Sequence, residues 1–475
     1  MKHATHILLF FGLMLQVLFT FGQLSDSIEI PSSPTGYFRL NNIIIVGNKK
    51  TKPYIITREI KVKPGDSIPT SKLYETIASC KELIYNTNLF NTVKIVPILN
   101  SAYDMDFRVE VVERWYIYPS PQFKLIDRNF NEWWKIYNHD LERVIYGVKF
   151  SHYNLSGRND GLNLYWLNGY ARNYTIGYTL PYVNKKMTRG LSFSTSYVQS
   201  REFPYKTTND NKLLQFRNDR FSRTAFSFSG ALRIRNNYYT RSSIGAQLNY
   251  IKVSDSIIQY KYNPNYFGMN QSSVWFSDIF YSHQYINVDN VNYPRKGKAY
   301  FLSINKRGLG WSGGINMLSL DMSFRKFYKL HHGFSANILM SGKLKLPFKQ
   351  SYINQRAMGY GDHYMDGLEY YVIDGVASGL AKVGLNRKIL HFKIPMPFKW
   401  KEVPYVPFTF FAKTYANMGY TYNRPEYRGN LNNRFLYSGG IGIDVLTLYD
   451  LRLSIEYSMN QLGEKGLFLH TRGNL

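Results

Sequence analysis

The segment MLSLDMSFRKF, Met317 to Phe327, alternates between two kinds of side chain along most of its length. Successive side chains of a β-strand point to opposite faces, so each kind occupies one face. The apolar set is Leu318, Leu320, Met322 and Phe324, and the polar set is Asp321, Ser323 and Arg325. The segment therefore predicts a strand with one apolar and one polar face.

The same alternation recurs from about residue 115 to the C-terminus, as in GLSFSTSYV, where Leu191, Phe193 and Tyr197 share one face. Sixteen such segments start near residues 115, 144, 161, 173, 190, 224, 239, 273, 298, 316, 333, 376, 405, 435, 450 and 466. An even number of strands of about ten residues, each with an apolar face, is typical of a bacterial transmembrane β-barrel. The sequence therefore predicts a mainly β protein with a sixteen-stranded antiparallel barrel over residues 115–475.

The connections between these segments alternate in length. SGRND, RNNYY and TLYDL are short turns, whereas the other connections are long, at about 124–142, 199–223, 252–272, 346–375 and 420–434. Short periplasmic turns and long external loops produce this alternation in outer-membrane barrels. A soluble β-sandwich, which is the alternative, does not require it.

Composition agrees with either kind of β protein but favours the barrel. Mean hydropathy is −0.33, which a barrel reaches because its lumen face is polar. Aromatic residues make up 17% of the chain, with 41 tyrosines, and aromatic side chains line both membrane interfaces of barrels. The net charge of +27 indicates basic loops that face lipopolysaccharide phosphates, or a basic lumen. The alternative is a solvated basic surface without a dedicated ligand.

The N-terminus predicts export. Residues 1–22 have a short basic start, an apolar run and a small residue at Gly22, which is typical of a secretory signal peptide. A single membrane anchor is the alternative, although the run is short for a full span. Residues 23–37 form a Ser/Pro-rich linker. Nucleic acid is not an expected partner of an exported chain, and the single cysteine, Cys80, excludes an intramolecular disulfide.

A small α+β unit is predicted for residues 38–114. A strand, FRLNNIIIVG, ends at the turn residues Gly47 and Asn48. Two helices, PYIITREIKV and TSKLYETIASCKELIYNT, flank a KPGD turn that contains Gly65 and Asp66. Two further strands, NTVKIVPIL and MDFRVEVVE, complete the predicted order β-α-α-β-β.

The order of these parts resembles the BamA/TamA-type superfamily, in which periplasmic POTRA (polypeptide-transport-associated) domains precede an outer-membrane barrel. The stretch from IIIVGNKKTK to KPGD is similar to the opening of a POTRA domain, and IYNTNLFNTVKI resembles its turn from second helix to strand. NVDNVNYPRKG and GGIGIDVLTLYDLRLSIEYS resemble a periplasmic turn and the last hairpin of such barrels. The resemblance covers essentially the whole chain after the signal peptide.

The resemblance also implies an inward-folded loop between the eleventh and twelfth barrel strands, tipped by a (V/I)RG(F/Y) motif. The corresponding loop is about 346–375, and its text MDGL places Asp366, Gly367 and Leu368 at the tip. Asp366 then stands where the family has arginine. The alternative register places the tip at QRAMGYGD, where Arg356 is not adjacent to a glycine.

The partner of the loop tip is altered as well. The family's arginine pairs with an aspartate on the thirteenth strand, within an F.D.G pattern, and the corresponding text here is YANMG. Asn417 therefore replaces the aspartate, two residues before Gly419. We expect Asp366 to accept a hydrogen bond from the Asn417 amide, with Lys413 as a second candidate partner.

No pattern in the sequence indicates an enzyme. HExxH, P-loop and CxxC motifs are all absent from it, and no cofactor or metal site is expected. His331 and His332 are adjacent, which makes them a poor metal pair on a strand. YSHQY offers a serine and a histidine, as in barrel phospholipases, but serine is common on barrel walls.

Three classes of function stay open. The first is a component that inserts or translocates outer-membrane or secreted polypeptides, binding unfolded clients along a POTRA strand edge. The second is an accessory subunit of an assembly machine, and the third is a passive pore or a surface-binding barrel. One POTRA domain and the altered loop pair favour a specialised or accessory assembly factor, with the barrel in the outer membrane and the POTRA domain in the periplasm. Its expected partners are membrane lipid, lipopolysaccharide, client polypeptides and other assembly subunits.

Overall fold

The computed structural model describes residues 36–126, 130–135, 138–310, 315–396, 405–427 and 429–471. The predicted signal peptide and residues 23–35 of the predicted linker lie outside this part of the chain. No helix in the described ranges is long and apolar enough to cross a membrane.

The N-terminal domain contains four strands and two helices. They are β1 (Tyr37–Val46), α1 (Pro53–Thr57), β2 (Ser67–Pro69), α2 (Leu73–Tyr85), β3 (Phe90–Leu99) and β4 (Asp104–Glu113). The strands form one sheet in the order β2-β1-β4-β3, with β1 and β4 parallel and the other pairs antiparallel.

Two details differ from the order expected from the sequence. The segment after the KPGD turn forms the short strand β2, which pairs with β1 at Phe38↔Ile68. Three residues are too few to show an alternation, so the sequence pattern could not reveal this strand. The first helix also ends at Thr57, because Ile55, Ile56 and Thr57 are β-branched and have modest helix propensity.

A single apolar core holds this domain together. Phe38, Phe90 and Phe107 are fully buried between the sheet and α2, and each contributes about 1.5–3 kcal/mol by burial. The Cys80 thiol lies in the same core, where the backbone N–H of Lys61 donates to Sγ at 3.4 Å. Burial raises the pKa of this thiol, so it stays protonated at neutral pH.

A sixteen-stranded antiparallel sheet forms the rest of the molecule, as the sequence predicts. Its strands are β5 (Ile117–Leu125), β6 (Val144–Tyr153), β7 (Gly161–Gly169), β8 (Ala171–Leu180), β9 (Arg189–Ser200), β12 (Arg223–Ile234), β13 (Thr240–Val253), β14 (Ser273–Val288), β15 (Gly297–Arg307), β16 (Met317–Lys329), β17 (Phe334–Leu346), β20 (Ala377–Pro395), β21 (Tyr405–Tyr422), β22 (Phe435–Leu446), β23 (Arg452–Asn460) and β24 (Lys465–His470). Each strand pairs with the next in this order, and β5 and β24 stand at the two ends of the hydrogen-bonded ladder.

The long connections contain small elements of their own. A hairpin forms from β10 (Glu202–Thr207) and β11 (Leu213–Arg217), and a short pair forms from β18 (Arg356–Met358) and β19 (Ile373–Asp374). One helix, α3 (Phe130–Lys135), lies between β5 and β6. The 3-10 turns are Thr70–Lys72, Leu141–Arg143, Asp255–Ile258, Tyr352–Asn354, Pro425–Tyr427 and Leu448–Asp450.

The outer surface of the sheet is apolar, as the alternation predicts. On β16 the exposed positions include Leu318, Met322 and Phe324, and on β24 Leu467 and Leu469 are each 66% exposed. Large exposed apolar side chains continue over neighbouring strands. Such a surface is costly in water and is matched by lipid tails, which is the environment of a transmembrane barrel.

Candidate functional site

The connection between β17 and β20, residues 347–376, supplies the candidate site and is called the inward loop below. It joins the eleventh and twelfth strands of the ladder, where the resemblance placed such a loop. Its tip contacts side chains of four consecutive strands, which are Lys382 on β20, Asn417 on β21, Ser438 on β22 and Asn460 on β23. The loop therefore lies against the inner wall of the barrel.

Asp366 is held by two side chains at once. Lys382 Nζ donates to Asp366 Oδ2 at 2.9 Å, and Asn417 Nδ2 donates to the same oxygen at 3.2 Å. The backbone carbonyl of Asp366 also accepts from the Ser438 hydroxyl. The Asp366 side chain is only 13% exposed, so the ion pair with Lys382 is screened weakly by solvent.

The position of Gly367 requires a residue without a side chain. Its φ of +87° lies in the left-handed region, and a Cβ there would approach the Cβ atoms of Ser458 and Ser438 to 3.2 and 3.3 Å. Asn460 Nδ2 donates to its carbonyl oxygen at 2.7 Å. A side chain at this point would lift the tip from the wall.

Leu368 and Gly419 complete the apolar side of the contact. Leu368 is buried in a cluster with residues of the loop and the barrel wall, namely Met358, Met365, Ile373, Leu380, Leu431 and Leu436. A Cβ at Gly419 would lie 2.9 Å from Cε of Met358. The glycine on β21 thus leaves space for an apolar side chain of the inward loop.

Lys413 does not contact Asp366, contrary to the expectation from the sequence. Its Nζ lies 2.5 Å from Glu456 Oε1 and 3.0 Å from Asp444 Oδ1. Lys413 shares a face with Asn417, but four residues of strand separate their Cα atoms by about 13 Å. The lysine therefore pairs with carboxylates of the neighbouring strands β22 and β23.

Lys382 is the partner that sequence reasoning missed. In the ladder Lys382 lies directly opposite Asn417, so both side chains reach the same carboxylate. Knowing which residues of β20 and β21 lie opposite one another would have revealed this pair. The connection between these strands is not a short turn, so the sequence alone does not fix the register.

The alternative tip, QRAMGYGD, has a different position. Arg356 and Met358 lie on β18, which pairs with β19, and the Tyr360 hydroxyl donates to Asp374 Oδ1 at 2.7 Å. The contacts with Asn417, Ser438 and Asn460 come instead from Asp366 and Gly367. The geometry thus favours the Asp366 register.

The turn residues that the sequence singled out in the N-terminal domain shape its backbone and lie apart from the inward loop. They are Gly47, Asn48, Gly65 and Asp66. Gly47 and Gly65 have φ values of +95° and +97°, and a Cβ at Gly47 would meet the carbonyl oxygen of Val111 at 2.1 Å. Asn48 Nδ2 donates to the Thr51 carbonyl, and Asp66 Oδ2 accepts from the Lys63 backbone N–H.

The N-terminal domain contacts the short turns of the barrel through charged side chains that the sequence did not single out. Arg235, in the turn between β12 and β13, makes two 2.7 Å hydrogen bonds to the carboxylate of Glu59. Arg114 pairs at 3.1 Å with Asp450, in the turn before β23, and the Tyr85 hydroxyl donates to the same carboxylate. The short turns therefore lie at the end of the barrel that this domain covers.

Comparisons with known proteins agree with this architecture. Residues 38–114 match the POTRA family model, described as a surface antigen variable number repeat. No curated protein sequence matches the chain. BamA from Haemophilus ducreyi lacking POTRA domains 1-3 is a similar solved structure, with 15% identity, a TM-score of 0.50 and coverage of 91% of this chain and 83% of its own.

Two solved structures of CdiB also resemble the chain. CdiB from Acinetobacter baumannii has 13% identity and a TM-score of 0.46, covering 91% of this chain and 73% of its own. CdiB from Escherichia coli has 11% identity and a TM-score of 0.45, with coverage of 96% and 91%. At such identities the likeness is one of fold. Residues 38–114 therefore match a POTRA domain, and the chain as a whole has a POTRA-plus-barrel fold similar to that of BamA from Haemophilus ducreyi.

Proposed function

We propose that this protein is an outer-membrane assembly or polypeptide translocation factor with a specialised or accessory role. In this proposal the barrel spans the outer membrane, the POTRA domain lies in the periplasm, and no catalytic chemistry is involved. The apolar outer surface of the barrel and the POTRA domain at its short-turn end support that placement.

The observation that carries the proposal is the inward loop fixed across four strands by Asp366 and Gly367. A passive pore gains nothing from a loop bound inside its lumen, whereas a factor that handles polypeptides must stay closed to small solutes. The altered tip supports a dedicated role, because Asp366 keeps the loop bound through Lys382 without the arginine of the family motif.

Client polypeptides would bind along the POTRA sheet. β3 is an edge strand of that sheet, and an unfolded chain can add a strand to such an edge through main-chain hydrogen bonds. Pro97 has no backbone N–H, so pairing would be confined to the residues before it. Thr92 and Lys94 are exposed on this stretch.

Photo-crosslinking in living cells tests this binding mode. A photoreactive residue at Thr92 or Lys94 should capture newly exported polypeptides, because both side chains flank the free edge. The same probe at Arg108, exposed on the central strand β4, is the matched control and should capture fewer. Equal capture at the three positions would contradict strand addition at β3.

The alternative is a passive pore or a surface-binding barrel, which the net charge of +27 would suit. Purified protein in planar bilayers separates the two functions. The assembly factor should show a closed barrel with rare openings, because a loop bound to the inner wall would obstruct the lumen. Steady, loop-independent conductance would favour the pore.

A further inference from the structure

A group of acidic side chains and one histidine joins the inward loop to the last barrel strand. Asp366 and Glu369 lie on the loop tip, His470 lies on β24, and their ligand atoms are all within 4.8 Å of one another. Glu456 on β23 is next to them, with Oε2 at 3.9 Å from His470 Nε2.

Several acceptor atoms in this group have no hydrogen-bond partner among the described residues. Both carboxylate oxygens of Glu369, Nε2 of His470 and Oε2 of Glu456 are in this state, although Nε2 of His470 lies 3.3 Å from Oε1 of Glu369 as an ion pair. The Glu456 side chain is only 4% exposed, and its unpartnered Oε2 is directed towards His470. Leaving such atoms unsatisfied inside a protein costs free energy, so they indicate a ligand.

The neighbouring cations leave these atoms available. Lys382 and Asn417 both bind Oδ2 of Asp366, and Lys413 binds Oε1 of Glu456. Lys382 thus contacts one oxygen of Asp366, and Lys413 contacts one oxygen of Glu456 as well as Asp444. Outer contacts of this kind orient the carboxylates that ligate a metal ion.

We propose that Asp366, Glu369 and His470 bind a divalent transition-metal ion, with Glu456 as a further oxygen ligand. One imidazole nitrogen together with carboxylate oxygens suits Zn²⁺ or Mn²⁺ better than Mg²⁺. The ligand atoms need to approach one another by small side-chain movements to reach bonding distances. This site requires only the fold, and it does not depend on the proposed function.

The ion would connect the inward loop to the end of the barrel ladder. β24 has six residues and pairs with β23 as its ladder neighbour in the described chain. Two contacts already hold the loop near this strand, since the Tyr371 hydroxyl donates to Glu464 at 2.7 Å and Tyr370 packs on Phe468. A metal bridge from Glu369 to His470 would add a stronger link that the supply of metal controls.

Metal binding to the purified full chain tests the proposal directly. Tag-free protein in detergent is dialysed against Zn²⁺, Mn²⁺ or Mg²⁺, and bound metal is measured per folded chain. We expect one Zn²⁺ or Mn²⁺ per chain, little Mg²⁺, and affinity lowered by about tenfold or more in Glu369→Gln and His470→Gln. His283→Gln is the matched control, because His283 lies on β14 and bonds to Ser242 away from this group.

Heat-modifiability on gels supplies a second readout and checks that each variant is folded. Zn²⁺ should raise the unfolding temperature of the wild type and His283→Gln, and should leave the two ligand variants unchanged. Absence of stoichiometric binding by the folded wild type would overturn the site, leaving a histidine–carboxylate ion pair. Unchanged binding in both ligand variants would overturn it as well.

Discussion

At the scale of single residues, Asp366 shows how an altered motif keeps its structural role. The carboxylate stands where the resemblance to the family predicts an arginine, and its pairing with Lys382 across 2.9 Å supplies the charge contact. Asn417 adds a hydrogen bond that an aspartate at the same position could not donate. The negative charge therefore lies on the loop and the positive charge on the barrel wall, the reverse of the pair that the resemblance implies. The loop stays bound to the wall.

Reversing the charge of Asp366 tests this pairing. Asp366→Arg should lower the unfolding temperature strongly, because removing one partner of a buried ion pair costs about 3–5 kcal/mol and the new arginine faces Lys382. Asp366→Arg with Lys382→Glu should recover most of the loss, and Asp366→Arg with Asn417→Asp should recover less, since Lys382 remains. Equal heat-modifiability of the single and both double variants would exclude Lys382 as the partner.

Gly367→Ala tests the close approach of the tip. The substitution should destabilise loop docking by about 1–2 kcal/mol for the left-handed backbone, with a further loss from the contacts to Ser438 and Ser458. Gly361→Ala is the matched control, because Gly361 also has positive φ but no atom within 4 Å of its Cβ position. Thermal unfolding of the two variants distinguishes the stability lost to backbone strain from the stability lost to poorer docking. Equal losses of stability in both variants would contradict the close contact at Gly367.

At the scale of elements, the POTRA domain is attached to the barrel by ion pairs between α1, the short turns and the end of β4. Glu59 and Arg235 are 1% and 8% exposed, so this pair lies in the junction rather than at its rim. Desolvation offsets much of the attraction of a buried pair, but either charge left alone is costly. The pair therefore fixes one orientation of the domain over the barrel end.

A double-mutant cycle on Glu59 and Arg235 measures this coupling. Arg235→Met should cost at most about 3–5 kcal/mol, because it leaves the buried Glu59 carboxylate with Arg58 as its remaining ion-pair partner. Glu59→Met with Arg235→Met should cost less than the sum of the two single changes. Arg108→Ala at the exposed Arg108–Glu110 pair is the control and should change stability by at most about 1 kcal/mol. Additive effects at Glu59 and Arg235 would show that the pair does not couple the domain to the barrel.

Cys80 reports on unfolding of the POTRA domain alone. The thiol is fully buried and burial raises its pKa, so a maleimide should label it only after the domain opens. Labelling should therefore be slow in the native protein and rise sharply with denaturant, before the barrel loses its heat-modifiability. Rapid labelling of the native protein would contradict the packed core around α2.

The strands were predictable because each carries its own period-two signal. The sixteen segments follow from alternation and connection lengths along the chain, whereas the inward loop was expected only from the resemblance to the family. The partner of Asp366 was not predictable, because Lys382 meets Asn417 only through the register of β20 and β21, whose connection, residues 396–404, is too long for a tight turn to fix that register. The pair of Glu59 and Arg235 was not predictable either, because the two residues are far apart in sequence and meet only when the N-terminal domain packs on the end of the barrel.

At the scale of the whole molecule, the barrel is contacted by the POTRA domain at one end and by the inward loop along its wall. The POTRA domain lies over the short turns, with contacts at Arg235 and Asp450, and the inward loop binds the wall from the side of the long loops. The POTRA sheet keeps a free edge at β3. This combination agrees with the proposal that the protein handles polypeptides while the inward loop limits passage of small solutes.

Quantitative comparison of the outer-membrane and secreted proteomes before and after depletion of this protein tests the proposed function most directly. A specialised assembly or translocation factor predicts the loss of one or a few proteins, restored by the wild type and less well by Asp366→Arg. Loss of many barrels at once would keep the assembly function but contradict the specialised role. An unchanged proteome would contradict the assembly function itself.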